Sequence, residues 1–442
     1  MSLKKWFGSG ATEIHCPLCG SAESRPTGGF TRYSQLRQAL AGVPEWLEAH
    51  ASGAGIPDIP AEVRQLVGDP EMPALDEGAD PEHRRCAKCK TLLPPQFWRG
   101  GPASSLAMTV AGTAGHGKTT WLMSVLTPPR RSRYSIIGFN EHHSVQPYNY
   151  VEPYTIDMLD REFRTAIPFL LMGCTISYAD MLIDVRTLDV KGETFQTDLP
   201  EVSRRVERHL TARRGGGAML IVERFTANEA DRAATIAQTY LRLSHGIRTR
   251  QKRGDVLWKA VVWTFLDQAQ WRPEGETWLR GAVREVAPFL RLAADIPRYD
   301  TPGLEELYDQ LRADDDLALR QLLVGVRDAS LDAPAIEALA ALLFRLQLLY
   351  SAYVARRRVN RLEYFYAGDG RQYVRICQEL AKQLYLQWDA PIGGVGTMLT
   401  GGNADEDWQV IPCGRMADTT GPPESVWNDQ IVIEAVARVG AR

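Results

Sequence analysis

The run Ser105–Leu126 reads SLAMTVA, GTAGHGKT, TWLMSVL. The first part is an apolar strand-like stretch, and the last is an apolar helical one. Between them, Gly112, Thr113, Ala114, Gly115, His116, Gly117, Lys118 and Thr119 fit G-x-x-x-x-G-K-[ST] at every fixed position. Glycines let a backbone fold around an anion so that successive N–H groups point inward. The following helix adds the positive end of its dipole, where Thr120 also sits. A lysine at Lys118 meets β- and γ-phosphates, and a hydroxyl at Thr119 takes one position on Mg²⁺. The motif needs a strand before it and a helix after it, and the sequence supplies both.

Working outward, apolar runs at Phe169–Ile176, Met181–Val190, Ala218–Val222 and Leu257–Leu266 predict further strands. Helical runs at Thr119–Leu126, Leu199–Arg213 and Glu229–Leu243 alternate with them, the pattern of a parallel-sheet α/β fold. Only SYAD separates the second and third strands, which predicts one antiparallel hairpin in a mostly parallel sheet. The expected organisation is a zinc-ribbon module over residues 1–100 and a P-loop core over 101–272. A helical insertion over 273–400 and a last strand and helix over 401–442 complete it. In the helical segment Leu342, Leu343, Leu346 and Leu349 recur at helical spacing and are expected to pack. The aromatic and arginine-rich stretch Tyr350–Tyr366 is the candidate protein-partner surface.

The strand Met181–Val190 runs into Asp189-Val190-Lys191-Gly192, a D-x-x-G. Asp189 is a candidate second Mg²⁺ ligand, through water, and the Gly192 N–H a candidate γ-phosphate donor. With His116–Thr120 (HGKTT), this motif resembles the P-loop GTPases of the translation-factor-related class. The resemblance implies GTP and GDP as ligands, and it implies switch regions, here at Tyr148–Thr165 and Glu193–Glu201. In that class a Gln or His follows the switch glycine to position the attacking water; this chain has Glu193. A switch threonine is expected among Thr155, Thr165 and Thr175. Thr165 fits the strand order, and Thr175 reads as a packing residue inside a strand. Guanine reading in the class uses [NT]-K-x-D; Thr264-Phe265-Leu266-Asp267 keeps the threonine and the aspartate and replaces the lysine with Phe265. Asn228–Asp231 has the N-x-x-D form as well, but follows the preceding strand and reads as a helix cap. Cys413-Gly414 stands where the class has its short loop after the last strand.

Seven cysteines include two CxxC pairs, Cys16 with Cys19 and Cys86 with Cys89. Two such turns present four thiolates, enough for a closed, structural tetrahedral Zn²⁺ site; free-thiol and redox readings of the pairs remain open. Together with Leu93–Pro95 (LPP), Thr119–Leu122 (TTWL) and Asp189–Glu193 (DVKGE), the ribbon resembles bacterial double-GTPase-type families tied to conflict or defence gene clusters. That implies a regulatory GTPase acting on a partner. The rivals are a P-loop ATPase of another class and a non-hydrolysing, nucleotide-bound scaffold.

Composition bounds the rest. The 442 residues are 44% hydrophobic and 24% charged with net charge −3, which gives no global basic field for nucleic acid. The basic clusters Arg130–Arg133, Arg213–Arg214 and Arg356–Arg358 read as solvated faces. No apolar run reaches the roughly 20 residues of a bilayer span, and no signal-peptide core follows the first lysines. A cytoplasmic protein with reduced thiols is the expectation. Oligomeric state is not legible in one sequence.

Overall fold

The computed structural model describes residues 14–16, 22–23, 27–28, 84–85, 92–93, 95–98, 105–118, 121–122, 125, 134–141, 169–178, 181–192, 194, 199–211, 216–226, 257–271, 273–282, 317–356, 370–392, 394–400 and 408–414. Its centre is a seven-stranded sheet. In chain order the strands are β1 (Ser105–Ala111), β2 (Tyr134–Glu141), β3 (Phe169–Tyr178) and β4 (Met181–Val190). They are followed by β5 (Gly216–Arg224), β6 (Leu257–Thr264) and β7 (Trp408–Pro412).

Across the sheet the order is β7-β6-β5-β1-β4-β3-β2. The five strands from β7 to β4 pair in parallel; β3 alone runs against its neighbours. The predicted hairpin is therefore present, with Tyr178 opposite Met181. Strand β2 was not visible in the sequence. Its run YSIIGFNE is broken by Gly138, where the pairing with β3 shifts register between Ile136 and Gly138.

Strand β1 is central, and it is buried on both faces from Leu106 to Ala111. This explains why SLAMTVA is a continuous apolar run and not an alternating one. Helix α1 (Leu199–Thr211) covers β1, β4 and β5 with a stripe of Val202, Val206 and Leu210. His209 belongs to the same face: its Nε2 lies 3.0 Å from both the Met108 and the Arg186 carbonyls. Burial pushes this imidazole down to about 3, with the Arg186 charge adding and the two carbonyls opposing.

Between β6 and β7 the chain forms α2 (Pro273–Ala282), α3 (Leu317–Asp328), α4 (Ala333–Arg356), α5 (Gly370–Asp389) and α6 (Val395–Thr400). These helices share the sheet's hydrophobic core. Parallel pairing of β6 with β7 demands a crossover, and α5 packs directly on β7. An aromatic cluster locks the layers together. Trp263 of β6 lies 5.3 Å from Trp388 and 5.4 Å from Tyr385, while Phe225 stacks on Trp388 at 6.0 Å. Each such pair contributes about 0.5–1.5 kcal/mol beyond its area burial. Among the described residues, no helix is long and apolar enough to cross a membrane.

Candidate nucleotide site

All parallel strands end on one edge of the sheet, where the loops after β1, β4, β5, β6 and β7 converge. Ligand crevices in open α/β sheets lie at this edge. The loop after β1 opens with Gly112 at φ 153°; a Cβ there would lie 2.2 Å from the Val222 carbonyl oxygen of β5. Gly115 and Gly117 turn the chain at φ 75° and 79°. A helix follows at once, the Trp121 N–H donating to the Gly117 carbonyl at 2.8 Å, with Trp121, Leu122 and Val125 buried.

Lys118 folds back across the loop. Its Nζ donates to the carbonyls of Gly112 at 3.0 Å and Thr113 at 3.2 Å. Thr113 is buried, whereas Ala114 and Gly115 are exposed at the rim. The D-x-x-G segment abuts this loop: a Cβ on Gly192 would stand 2.2 Å from the Ala114 nitrogen, so only glycine fits there. Asp189 ends β4 opposite Val110 of β1, two residues before Gly112. A carboxylate is the type of oxygen ligand that a hard cation takes.

The other side of the site is made by side chains. The Thr264 hydroxyl is 2.8 Å from the His116 carbonyl and 3.1 Å from that of Glu223, so its single proton ties the glycine loop to β5. The Arg224 N–H donates to His116 Nδ1 at 3.2 Å. Burial pushes the His116 imidazole down to about 4; the Val222 backbone opposes this, and the Lys118 and Arg224 charges reinforce it. His116 is therefore neutral at pH 7.

Phe265 adopts φ 62°, a left-handed conformation for a bulky residue, and starts the turn Leu266–Gln268 that carries Asp267. The Leu266 N–H donates to the Cys413 carbonyl at 3.2 Å, and the Cys413 N–H to that of Trp263 at 2.8 Å. A Cβ on Gly414 would come 2.8 Å from the Asp267 nitrogen. The segment Thr264–Asp267 thus meets Cys413 and Gly414, far off in sequence, and Thr264 ties it to the glycine loop at His116. The Asp267 carboxylate also acts on Arg345 of α4, holding up a guanidinium pKa that burial lowers.

Thr175 does sit within a strand, its hydroxyl donating to Asp184 at 2.8 Å and accepting from Gln96 at 3.3 Å, as a packing residue should. Thr119, Thr120, Thr155, Thr165, Glu193, Cys19, Cys86, Cys89 and Asn228–Asp231 lie outside the described residues. For the cysteine pairs, the flanking backbone is informative. Ile14–His15 pairs antiparallel with Ala22–Glu23 around the first CxxC, and Arg84–Arg85 with Leu92–Leu93 around the second. Thr27–Gly28 adds to the second hairpin, and Cys16 is buried. Each CxxC pair thus falls, in sequence, between two short antiparallel strands.

Sequence reasoning missed Arg224, Glu223 and Tyr385. Tyr385 of α5 donates its hydroxyl hydrogen bond to the buried Glu223 carboxylate. The available signal was position: Glu223-Arg224 ends an otherwise apolar parallel strand at the ligand-binding edge. No protein-family model matches the chain, and a search of curated proteins found no match.

Proposed function

We propose that the chain is a GTP-binding, GTP-hydrolysing regulatory switch that acts on a protein partner. The observation that carries this reading is the abutment of two loops. A glycine loop with an inward lysine follows the central parallel strand, and a D-x-x-G glycine packs on its backbone. Loop amides hold the α- and β-phosphates, and Lys118 exchanges the carbonyls of Gly112 and Thr113 for β- and γ-phosphate oxygens. Thr119 and Asp189 hold Mg²⁺, which neutralises charge on those oxygens when bound. Gly192 donates its N–H to the γ-phosphate, which couples the segment after β4 to nucleotide state. Glu193 orients the attacking water, and Thr165 senses the γ-phosphate from the other switch. Asp267 accepts two hydrogen bonds from guanine, and Thr264 keeps the loop and that reader in register.

Cys16, Cys19, Cys86 and Cys89 hold a structural zinc in the same proposal, which metal analysis of the purified protein tests at one equivalent per chain. For the nucleotide, phosphate release from GTP and from ATP under identical conditions is the test. GTP turnover that ATP does not match supports the reading. ATP preference overturns the guanine assignment, and Glu193→Ala with unchanged turnover removes Glu193 from the chemistry.

A further inference from the structure

We infer that Arg224 and Phe265 together form a shelf for the nucleoside of the bound nucleotide, an assignment that rests on the proposed nucleotide site. Phe265 holds a left-handed φ of 62° without being glycine. Such backbone strain persists only where the surroundings over-determine it, and it concentrates at ligand sites. The result of the strain is specific: the ring edge faces the loop, 3.1 Å from where a Cβ on Gly117 would stand.

Arg224 reaches the same ring from the neighbouring strand. Its guanidinium carbon sits 4.5 Å from the ring centroid, and its Nη2 donates to Gln268 at 3.1 Å. The residue is exposed, yet its backbone is registered to the glycine loop through His116. The pair is therefore joined to two neighbours. On one side is the anion-holding loop; on the other, two residues beyond Phe265, is Asp267 beside Gly414. A ligand with phosphates in the loop and a base at Asp267 would reach from one to the other past Phe265, which touches the loop at Gly117 and precedes Asp267 by two residues.

The chemistry suits that crossing. A guanidinium over an aromatic ring combines a planar cation with an apolar ring at one place. Purines and guanidinium planes stack, and the interaction does not discriminate strongly among bases. The shelf thus contributes affinity for a nucleoside, while Asp267 supplies the choice of base. It also accounts for Phe265 where a lysine was expected: the ring provides the packing surface and Arg224 the positive charge.

A ligand without a nucleoside separates the two parts of the site. Binding of Mg·GTP and of Mg·tripolyphosphate is measured for the wild-type chain and for Arg224→Ala, Phe265→Gly and Lys118→Ala. Phe265→Gly keeps the left-handed backbone while deleting the ring, and Arg224→Ala changes an exposed side chain. The expected result is about tenfold weaker GTP binding in each of these two, with tripolyphosphate affinity retained. Lys118→Ala loses both ligands. Wild-type GTP affinity in both shelf variants overturns the shelf and leaves the nucleotide reading standing. Equal loss of both ligands also overturns it, because the pair would then be shaping the loop. If the wild-type chain binds neither ligand, the nucleotide reading fails and the shelf with it.

Discussion

The two rims of the site are built by opposite means. On the β1–β4 side, tight backbone is obtained by deleting side chains, and Gly112 and Gly192 leave no room for a Cβ. On the β5–β6–β7 side, an equally unusual backbone, Phe265 at φ 62°, carries a full aromatic side chain and is held by its neighbours. The first device is written in a short motif. The second is spread over Thr264, Cys413, Arg224 and the helices that press on them. A rim made of glycines is rigid because nothing else fits, whereas a rim made of side chains depends on each contact remaining in place.

That contrast predicts graded damage. The largest effect belongs to Gly112→Ala. Its methyl group would collide with the β5 backbone at 2.2 Å, and no flexible side chain is there to yield. A loss of more than about 3 kcal/mol in urea-monitored stability, or failure to fold, is expected. Near-wild-type stability would mean that this rim is not held by steric exclusion. On the opposite rim, Tyr385→Phe removes one partner of the buried Glu223 carboxylate. It is expected to cost about 1–3 kcal/mol in the same assay.

Thr264→Val is milder, since the side chain keeps its shape and only a shared hydroxyl is lost. About 1 kcal/mol is expected. Hydrogen exchange at the loop residues Gly115–Gly117 should quicken more than exchange in β4, which checks that Thr264 acts on the loop.

Acid is the gentlest perturbation, because its effect is absent at neutral pH. His116 and His209 have folded-state values of about 4 and about 3 against 6.5 unfolded, both lowered chiefly by burial. Below pH 6.5 the unfolded chain therefore binds more protons, and stability falls as pH drops from 6.5 towards 4. His209→Gln is expected to shallow that slope in unfolding midpoints taken between pH 7 and pH 5. An unchanged slope would show that the buried imidazole under β1 and β4 does not govern it.

The difference between the rims also explains what the sequence made legible. Ser105–Ala111 was readable because a parallel strand buried on both faces is an apolar run of strand length, and the hairpin joining β3 to β4 because only SYAD separates two strand-length stretches rich in apolar residues. The glycine loop was readable because deletion of side chains leaves a composition signature. Strand β2 was not, since a glycine and a register shift interrupt its pattern. Nor was the Arg224–Phe265 contact. Arg224 ends β5 and Phe265 follows β6, 41 positions later, and only the parallel pairing of the two strands, with Arg224 opposite Thr264, makes them neighbours. Likewise the contact of α5 with Glu223 depends on the crossover between β6 and β7, which hydrophobic periodicity marks as helical without saying what it touches.

The most direct test of the central claim is an equilibrium titration of the full chain with labelled GTP and Mg²⁺, run beside Lys118→Ala. Saturable binding by the wild-type chain and its loss in the variant are expected, with thermal unfolding of the ligand-free variant close to wild type. A wild-type chain that binds no nucleoside triphosphate, or a variant that binds as well as wild type, would contradict that claim.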